Sequence, residues 1–282
     1  TPNAFIQLLP DNTIRFYTAR SEMGQGVTTG LATLVGEELD VNPFDMDICF
    51  AGVHEDYANP LFGMQGTGGS TSIRAHYKQL RQAGANTRAL ILEAAARDLG
   101  LATSSLTTDN GYVLAGEARH PYSDFIAMAQ SLTIEADAPL KAAADFQFIG
   151  RESRRVDAIA KATGTAQFGI DIDIPDLHYA VVVRAPVAGT KVRSVEASAA
   201  RGMPGVTNVF EIGNGVAVVA ESFWQAKQAA AQVQVDWNTG ALGQFDTDSL
   251  RADYTAALDA GDGVEGPDEG NVEEALSAAS TL

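Results

Sequence analysis

The chain has 282 residues, 45% of them hydrophobic, and a formal net charge of −17; it is long enough for two ordinary cores and repels phosphate backbones and anionic lipid head groups. No run of Lys or Arg offsets that charge, and no apolar stretch approaches the roughly 18 to 20 residues of a membrane-spanning helix, so neither nucleic-acid binding nor membrane insertion is expected. Cys49 is the only cysteine, which excludes an internal disulfide, a zinc ribbon or a Cys-ligated iron–sulfur cluster within the chain.

The opening residues, Thr1-Pro-Asn-Ala-Phe, lack the basic and apolar layout of an export signal. Having no disulfide suits the cytoplasm and an exported protein folded before export alike, so the compartment stays open. Residues 4–9, the turn-forming Pro10-Asp-Asn-Thr and the alternating residues 14–18 predict a β-hairpin. It delivers the chain to Ser21-Glu-Met-Gly-Gln-Gly, after which Leu31, Leu34, Val35 and Leu39 follow helical spacing. A third strand is predicted over residues 46–51 and a long helix from Ile73 to Leu99. The loop between them, with Asn59-Pro60 and Thr67-Gly-Gly-Ser-Thr-Ser, has a length that usually marks function or disorder.

Residues 101–145 predict a short hairpin around Asn110-Gly111, a helix near 123–129 and a Pro- and Ala-containing connector. Beyond about Arg151 the pattern changes to strands at 166–172, 178–184, 206–212 and 216–220, with helices at 195–200 and 222–231, a second α+β domain. The expected divisions are 1–148, 149–243 and an acidic, Gly-rich linker over 244–282.

Glycine turns ahead of helices aim backbone N–H groups at an anion, and the helix dipole adds positive potential. Gly24, Gln25 and Gly26 form one candidate turn; Thr67, Gly68, Gly69, Ser70, Thr71 and Ser72 form the other and bring four hydroxyls. An anion cradle and plain turn geometry are both consistent with these residues. Neither run matches the phosphate-loop or dinucleotide pattern. His54, His76, His120 and His178 lack ligand spacing, so no metal site is expected and each histidine reads as a surface or packed residue. No serine elbow is present; the adjacent Glu37-Glu38 reads as a solvated helix face, and Trp224 and Trp237 read as anchors of the second core.

Ser21-Glu-Met-Gly-Gln-Gly-Val, the helix ending in Glu37-Glu38-Leu39, and Thr67-Gly-Gly-Ser-Thr-Ser together resemble the molybdenum-binding large subunit of the xanthine dehydrogenase and aldehyde oxidase family. The nearer resemblance is to the isoquinoline 1-oxidoreductase β-subunit group, in which these segments lie near the N-terminus. Arg155-Val-Asp, Lys161-Ala-Thr-Gly-Thr-Ala, Phe168-Gly-Ile-Asp, Arg184-Ala-Pro and Pro204-Gly-Val resemble the family's a/b hammerhead domain. The implied architecture is α+β: part of a molybdopterin-binding domain followed by an a/b hammerhead.

The resemblance implies a molybdopterin dinucleotide, usually the cytosine form in bacteria, with Gln25 and the segment Gly68-Gly69-Ser70 contacting pterin and phosphates. It implies hydroxylation of an aldehyde or N-heterocycle with water as the oxygen source and a glutamate base. The implied partners are the remainder of the large subunit, a small [2Fe-2S] subunit and a cytochrome acceptor. The family's Phe-Gly-Gly-type motif and late Gly-x-Gly-Glu do not occur in residues 1–282, so no catalytic residue is assigned. The chain is expected to be an N-terminal fragment, inactive and without cofactor when alone. The alternative is a non-catalytic binding or assembly protein that keeps the cradle-like turns.

Overall fold

The computed structural model describes residues 3–264, 266, 267 and 269–280. Thr1 and Pro2 of the opening segment, Glu265 and Asp268 of the expected linker, and the terminal Thr281 and Leu282 lie outside the described residues. The chain divides into two compact units, Thr1–Phe168 and Gly169–Leu282.

In the first unit, β1 (Ile6–Leu8) and β2 (Ile14–Thr18) pair antiparallel across a turn that holds Asn12 at φ +66°. Asn is among the residues that tolerate the left-handed region, and here its side chain ties the turn to distant backbone, donating to the Gly111 carbonyl and accepting the Ser123 N–H. Ile14, Phe16 and Thr18 point inward while Arg15 and Tyr17 stay half-buried, the period-2 signature of a strand. Next to β2, β3 (Asp47–Phe50) runs parallel. A parallel neighbour requires a crossover, and α1 (Val27–Leu39) supplies it. The sheet order is β1-β2-β3.

After the long loop, α2 (Ser72–Leu99) packs along α1. The two helices are parallel: Gly30 of α1 faces Ile73, Glu38 pairs with Arg81, and Asp40, just past α1, pairs with Arg88. Gly84 makes this approach close, because a Cβ there would lie 2.7 Å from the Val35 carbonyl oxygen and 3.0 Å from Glu38 Cβ. Phe16, Leu31, Val35, Leu39, Leu80 and Ile91 fill the core between sheet and helices.

The strands β4 (Leu106–Asp109), β5 (Tyr112–Ala115) and β6 (Ala118–Pro121) form an antiparallel meander. Asn110 and Gly111, at φ +39° and +81°, make the two-residue hairpin turn that the sequence predicts. Tyr122 then reaches into the core and donates to the Leu39 carbonyl at 2.9 Å. Two short helices follow, α3 (Ile126–Gln130) and α4 (Ala158–Thr163).

The expectation that Glu37 and Glu38 form a solvated face is overturned, since both are fully buried. Glu37 accepts the N–H groups of Gln147, Phe148 and Ile149, and Lys141 Nζ lies 3.4 Å away. Glu38 is paired with Arg81 at 2.6 Å and accepts the Lys141 N–H. Adjacent carboxylates do point two ways on a helix, but α1 lies between α2 and the connector, and both faces are covered. Burial works to raise the Glu37 pKa; the three N–H donors and Lys141 outweigh it and hold the carboxyl below its usual value.

The second unit contains an antiparallel sheet of β7 (Tyr179–Arg184), β10 (Gly215–Ala220) and β9 (Val206–Ile212), in that order. β8 (Lys191–Glu196) pairs with β11 (Gln234–Asn238). Residues 195–200, read as helical, instead end β8 and enter the single turn α5 (Ser198–Arg201), because β11 offers Val195 and Glu196 a ladder. Residues 166–172, read as a strand, contain a 3₁₀ turn at Gly169–Asp171. Helix α6 (Phe223–Ala230) buries Ala226 and Ala229, whereas Trp224 is 64% exposed and does not anchor this core. The expected linker carries two helices, α7 (Thr247–Ala260), which starts at an Asp246–Ser249 capping box, and α8 (Val272–Ala278). No helix among the described residues is long and apolar enough to cross a membrane.

Gly84→Ala places a methyl against the Val35 carbonyl and is expected to lower stability by about 1–3 kcal/mol, the cost of overpacking. Chemical denaturation with an unchanged m-value checks this.

Candidate functional site

The parallel crossover brings the ends of β2 and β3 and the starts of α1 and α2 to one edge of the first unit. Carboxyl ends of parallel strands beside helix N-termini are where open α/β arrangements hold ligands. Both glycine segments predicted from sequence lie at this edge. They are tied together, because the Ser21 N–H donates to Thr67 Oγ1 at 2.9 Å.

In the first turn, Gly24 and Gly26 have φ of +99° and +86°, which explains glycine at both positions. The N–H groups of Gly24 and Gly26 donate to Glu22 Oε1 at 2.9 Å each, and that of Thr28 to Oε2 at 3.1 Å. The helix start is thus capped by an acid four residues upstream of its N-cap, Gly26. Gln25 is folded onto its own turn: its Oε1 accepts from the Met23 N–H at 2.6 Å and its Nε2 donates to the Ser21 carbonyl at 3.0 Å.

Arg155 closes the turn from outside. It donates to Glu22 Oε1 at 3.0 Å and to the Gly24 carbonyl at 2.5 Å, and grips Asp157 through two bonds of 2.7 and 2.8 Å. The next N–H, of Val156, donates to Thr29 Oγ1 at 3.1 Å. Burial works to raise the Glu22 pKa, and the N–H groups of Gly26, Thr28 and Gly24 outweigh it, so the carboxyl stays ionised below its usual range.

The second segment is built differently. Asn59 is fully buried and donates through Nδ2 to Thr71 Oγ1 at 2.8 Å; Thr71 in turn donates to the Gly68 carbonyl at 2.8 Å. Gly69 and Ser70 follow each other in the left-handed region at φ +60° and +52°. Gly68, Gly69 and Ser70 are exposed, Thr67 and Ser72 half-buried and Thr71 buried. Thr71 caps α2 only by position, with no side-chain bond. Among the described residues, no side chain accepts the first N–H groups of α2, and the hydroxyls of Ser70 and Ser72 have no partner.

Beneath both turns sits Arg20, 2% exposed, which donates to the carbonyls of Ala19 and Tyr57 and contacts His76 Nε2 at 2.9 Å. The other ring nitrogen of His76 lies 3.1 Å from the Ser72 carbonyl. A neutral ring with its proton on Nδ1 satisfies both contacts. Burial, with Arg20 second, pushes the His76 pKa down to about 4. A cleft of about 300 Å³ runs past Thr18, Arg20, Glu22, Phe50 and Gln65. Thr18 Oγ1 and Arg20 Nε are enclosed there without a protein partner.

Sequence reasoning therefore finds both turns and misses Glu22, Arg155, Asn59 and the Arg20–His76 pair. Glu22 lies inside the quoted motif, four residues before Gly26, and that spacing was the available signal. Arg155 carries no local signal, since its partner is 133 positions away. Residues 149–168, expected with the second domain, fall in the first compact unit.

Fold and site thus define an α+β protein whose two glycine turns meet at one edge beside parallel helix starts. The chain belongs to the molybdopterin cofactor-binding domain family, whose model matches residues 1–185. It is 30% identical over 274 residues to the beta subunit of isoquinoline 1-oxidoreductase from Brevundimonas diminuta, covering 84% of this chain and 35% of that one. With a nicotinate dehydrogenase subunit of Pseudomonas putida it shares 32% identity over 252 residues, 84% of this chain and 21% of the relative. With the membrane-bound aldehyde dehydrogenase [pyrroloquinoline-quinone] of Gluconacetobacter polyoxogenes it shares 31% over 253 residues, 85% and 32% of the two chains. The chain spans about a third or less of the length of these relatives.

His76 gives a pH test. Its unfolded pKa of 6.5 exceeds its folded value of about 4, so the unfolded state takes the proton first as pH falls. Stability present above pH 6.5 is lost toward pH 4, by about 3 kcal/mol in all. His76→Gln is expected to flatten the stability curve between pH 6.5 and 5, compared by urea midpoints.

Proposed function

We propose that this chain supplies part of the cofactor cradle of a molybdenum-dependent hydroxylase large subunit, with a cofactor phosphate received at the N-terminus of α2. The family match supports molybdopterin as the cofactor. It also favours molybdopterin over the quinone named for the Gluconacetobacter relative. We assign it as the cytosine dinucleotide form.

The observation that carries the reading is Gly68. Its φ lies outside the left-handed region, and a Cβ built there meets nothing within 4 Å. No contact among the described residues requires glycine at this position, and we read it as leaving room for a ligand to approach the backbone. The neighbouring groups fit a phosphate: uncapped N–H groups at the start of α2, the hydroxyls of Ser70 and Ser72, and two successive left-handed residues that turn the backbone toward solvent. Thr67, Thr71 and Asn59 position this loop. Gly24, Gln25 and Gly26 form the other wall, and Gln25 presents an amide next to the pterin once its bonds to Met23 and Ser21 exchange.

When bound, the molybdenum cofactor supplies a two-electron acceptor for hydroxylation with oxygen from water. The residues of this chain bind and orient it; the acid–base groups of the reaction belong to the remainder of the large subunit. A small [2Fe-2S] subunit and a cytochrome acceptor complete the electron path. The substrate class is an N-heteroaromatic or an aldehyde, following the isoquinoline, nicotinate and aldehyde in the names of the relatives. Residues 149–243 are assigned to the a/b hammerhead, ahead of the acidic segment 244–282. The isolated chain is expected to hold no cofactor and to turn over nothing.

Gly68→Val separates binding from folding. In the assembled enzyme it is expected to lower pterin and molybdenum content by about tenfold or more, while the chain's stability stays within about 0.5 kcal/mol of wild type. Unchanged pterin content would sink the assignment of this segment.

A further inference from the structure

The two glycine turns look alike in sequence, yet only one leaves its donors open. At α1 the N–H groups of Gly24, Gly26 and Thr28 all end on the Glu22 carboxylate, which is 9% exposed and further held by Arg155. At α2 the corresponding first-turn donors meet no side chain among the described residues. We propose that Glu22 is an internal anion that fills the α1 nest, and that the Glu22–Arg155 pair thereby determines which of the two turns can accept phosphate.

The argument is one of charge and of geometry. A helix start with three convergent N–H groups has room and potential for one anion, and a carboxylate tethered in the same turn competes at very high effective concentration. Arg155 cannot leave readily, because Asp157 holds its guanidinium through two bonds and the Gly24 carbonyl through a third. It stays beside the turn whether or not Glu22 is present. Removing the carboxylate therefore exposes three donors next to a fixed cation, a phosphate site that the wild-type turn lacks.

The consequence for the cofactor is directional. Its phosphate is steered to Ser70, Ser72 and the α2 start, and the first turn is left to contact ligand through Gln25 and the carbonyl groups. Glu22 is a positioning residue in this scheme, touching neither cofactor nor substrate. The inference rests on the proposed cradle only for the destination of the phosphate; the filling of the first turn is independent of it.

Amide chemical shifts in a titration of the 282-residue chain with inorganic phosphate test both parts separately. In wild type, Ile73 and Arg74 are expected to shift and Gly24, Gly26 and Thr28 to stay still. In Glu22→Ala the latter three are expected to shift saturably, with affinity on the order of tenfold above that of Glu22→Gln, whose neutral oxygen still occupies the nest. Phosphate-dependent shifts at Gly24, Gly26 and Thr28 in wild type, or none in Glu22→Ala, would overturn the proposal. Still amides at Ile73 and Arg74 with a gained site in Glu22→Ala would keep it and remove the proposed phosphate end instead. Wild-type hydrogen exchange gives a check that needs no variant: Gly24, Gly26 and Thr28 must exchange more slowly than Ile73 and Arg74, and equal rates count against a filled nest.

Discussion

The parallel packing of α1 on α2 is the constraint from which the rest of the first unit follows. Gly84 lets the helices approach until a Cβ would press on the Val35 carbonyl, and their direction brings both N-termini to the edge where β2 and β3 end. Parallel helices align their dipoles, so positive potential accumulates at that edge and negative potential at the other. Each end needs an answer. At the N-terminal edge α1 is answered from within by Glu22, and α2 is left open.

The opposite end shows the same physics with the sign reversed. Glu37, Glu38 and Asp40 stand at the C-terminal end of α1, where negative charge is unfavourable, and all three are buried. Arg81, Arg88 and Lys141 neutralise them, and the N–H groups of residues 147–149 complete Glu37. Losing one partner of such a network typically costs about 3–5 kcal/mol, so the connector is docked firmly. Docking the connector at 141–149 delivers Arg155 to the glycine turn. A buried ionic cluster at one end of α1 thus helps to build the glycine-turn edge at the other.

Local physics was legible in the residues. Period-2 and helical spacing located β1 to β3, α1 and α2, and Asn110-Gly111 marked its hairpin, because each depends on neighbours in sequence. The site was half legible for the same reason: glycine turns announce themselves and Glu22 is marked by its spacing to Gly24 and Gly26, whereas Arg155, which holds that acid, is recognised only with the chain folded. Glu37-Glu38 failed as a surface reading because the connector that covers them lies more than a hundred positions later. Residues 166–172 alternate like a strand, but Ile170 and Ile172 are 84% and 50% exposed, and no strand among those described pairs with them. Val195 and Glu196 went to a ladder because β11 was there to receive them.

Glu22 also changes how a glycine motif before a helix should be weighed. Glycine supplies the φ and the access, but the N–H groups it exposes are available only if no acid of the same turn reaches them first. Here Glu22 stands two residues before Gly24 and four before Gly26, close enough to accept from both. In Thr67-Gly-Gly-Ser-Thr-Ser no acid is present, and the hydroxyl of Thr71 turns inward to Asn59 and Gly68 without reaching the helix start. In the proposed cradle the charge of the residues flanking each glycine turn, more than the glycines, separates a turn that receives a ligand from one that holds itself.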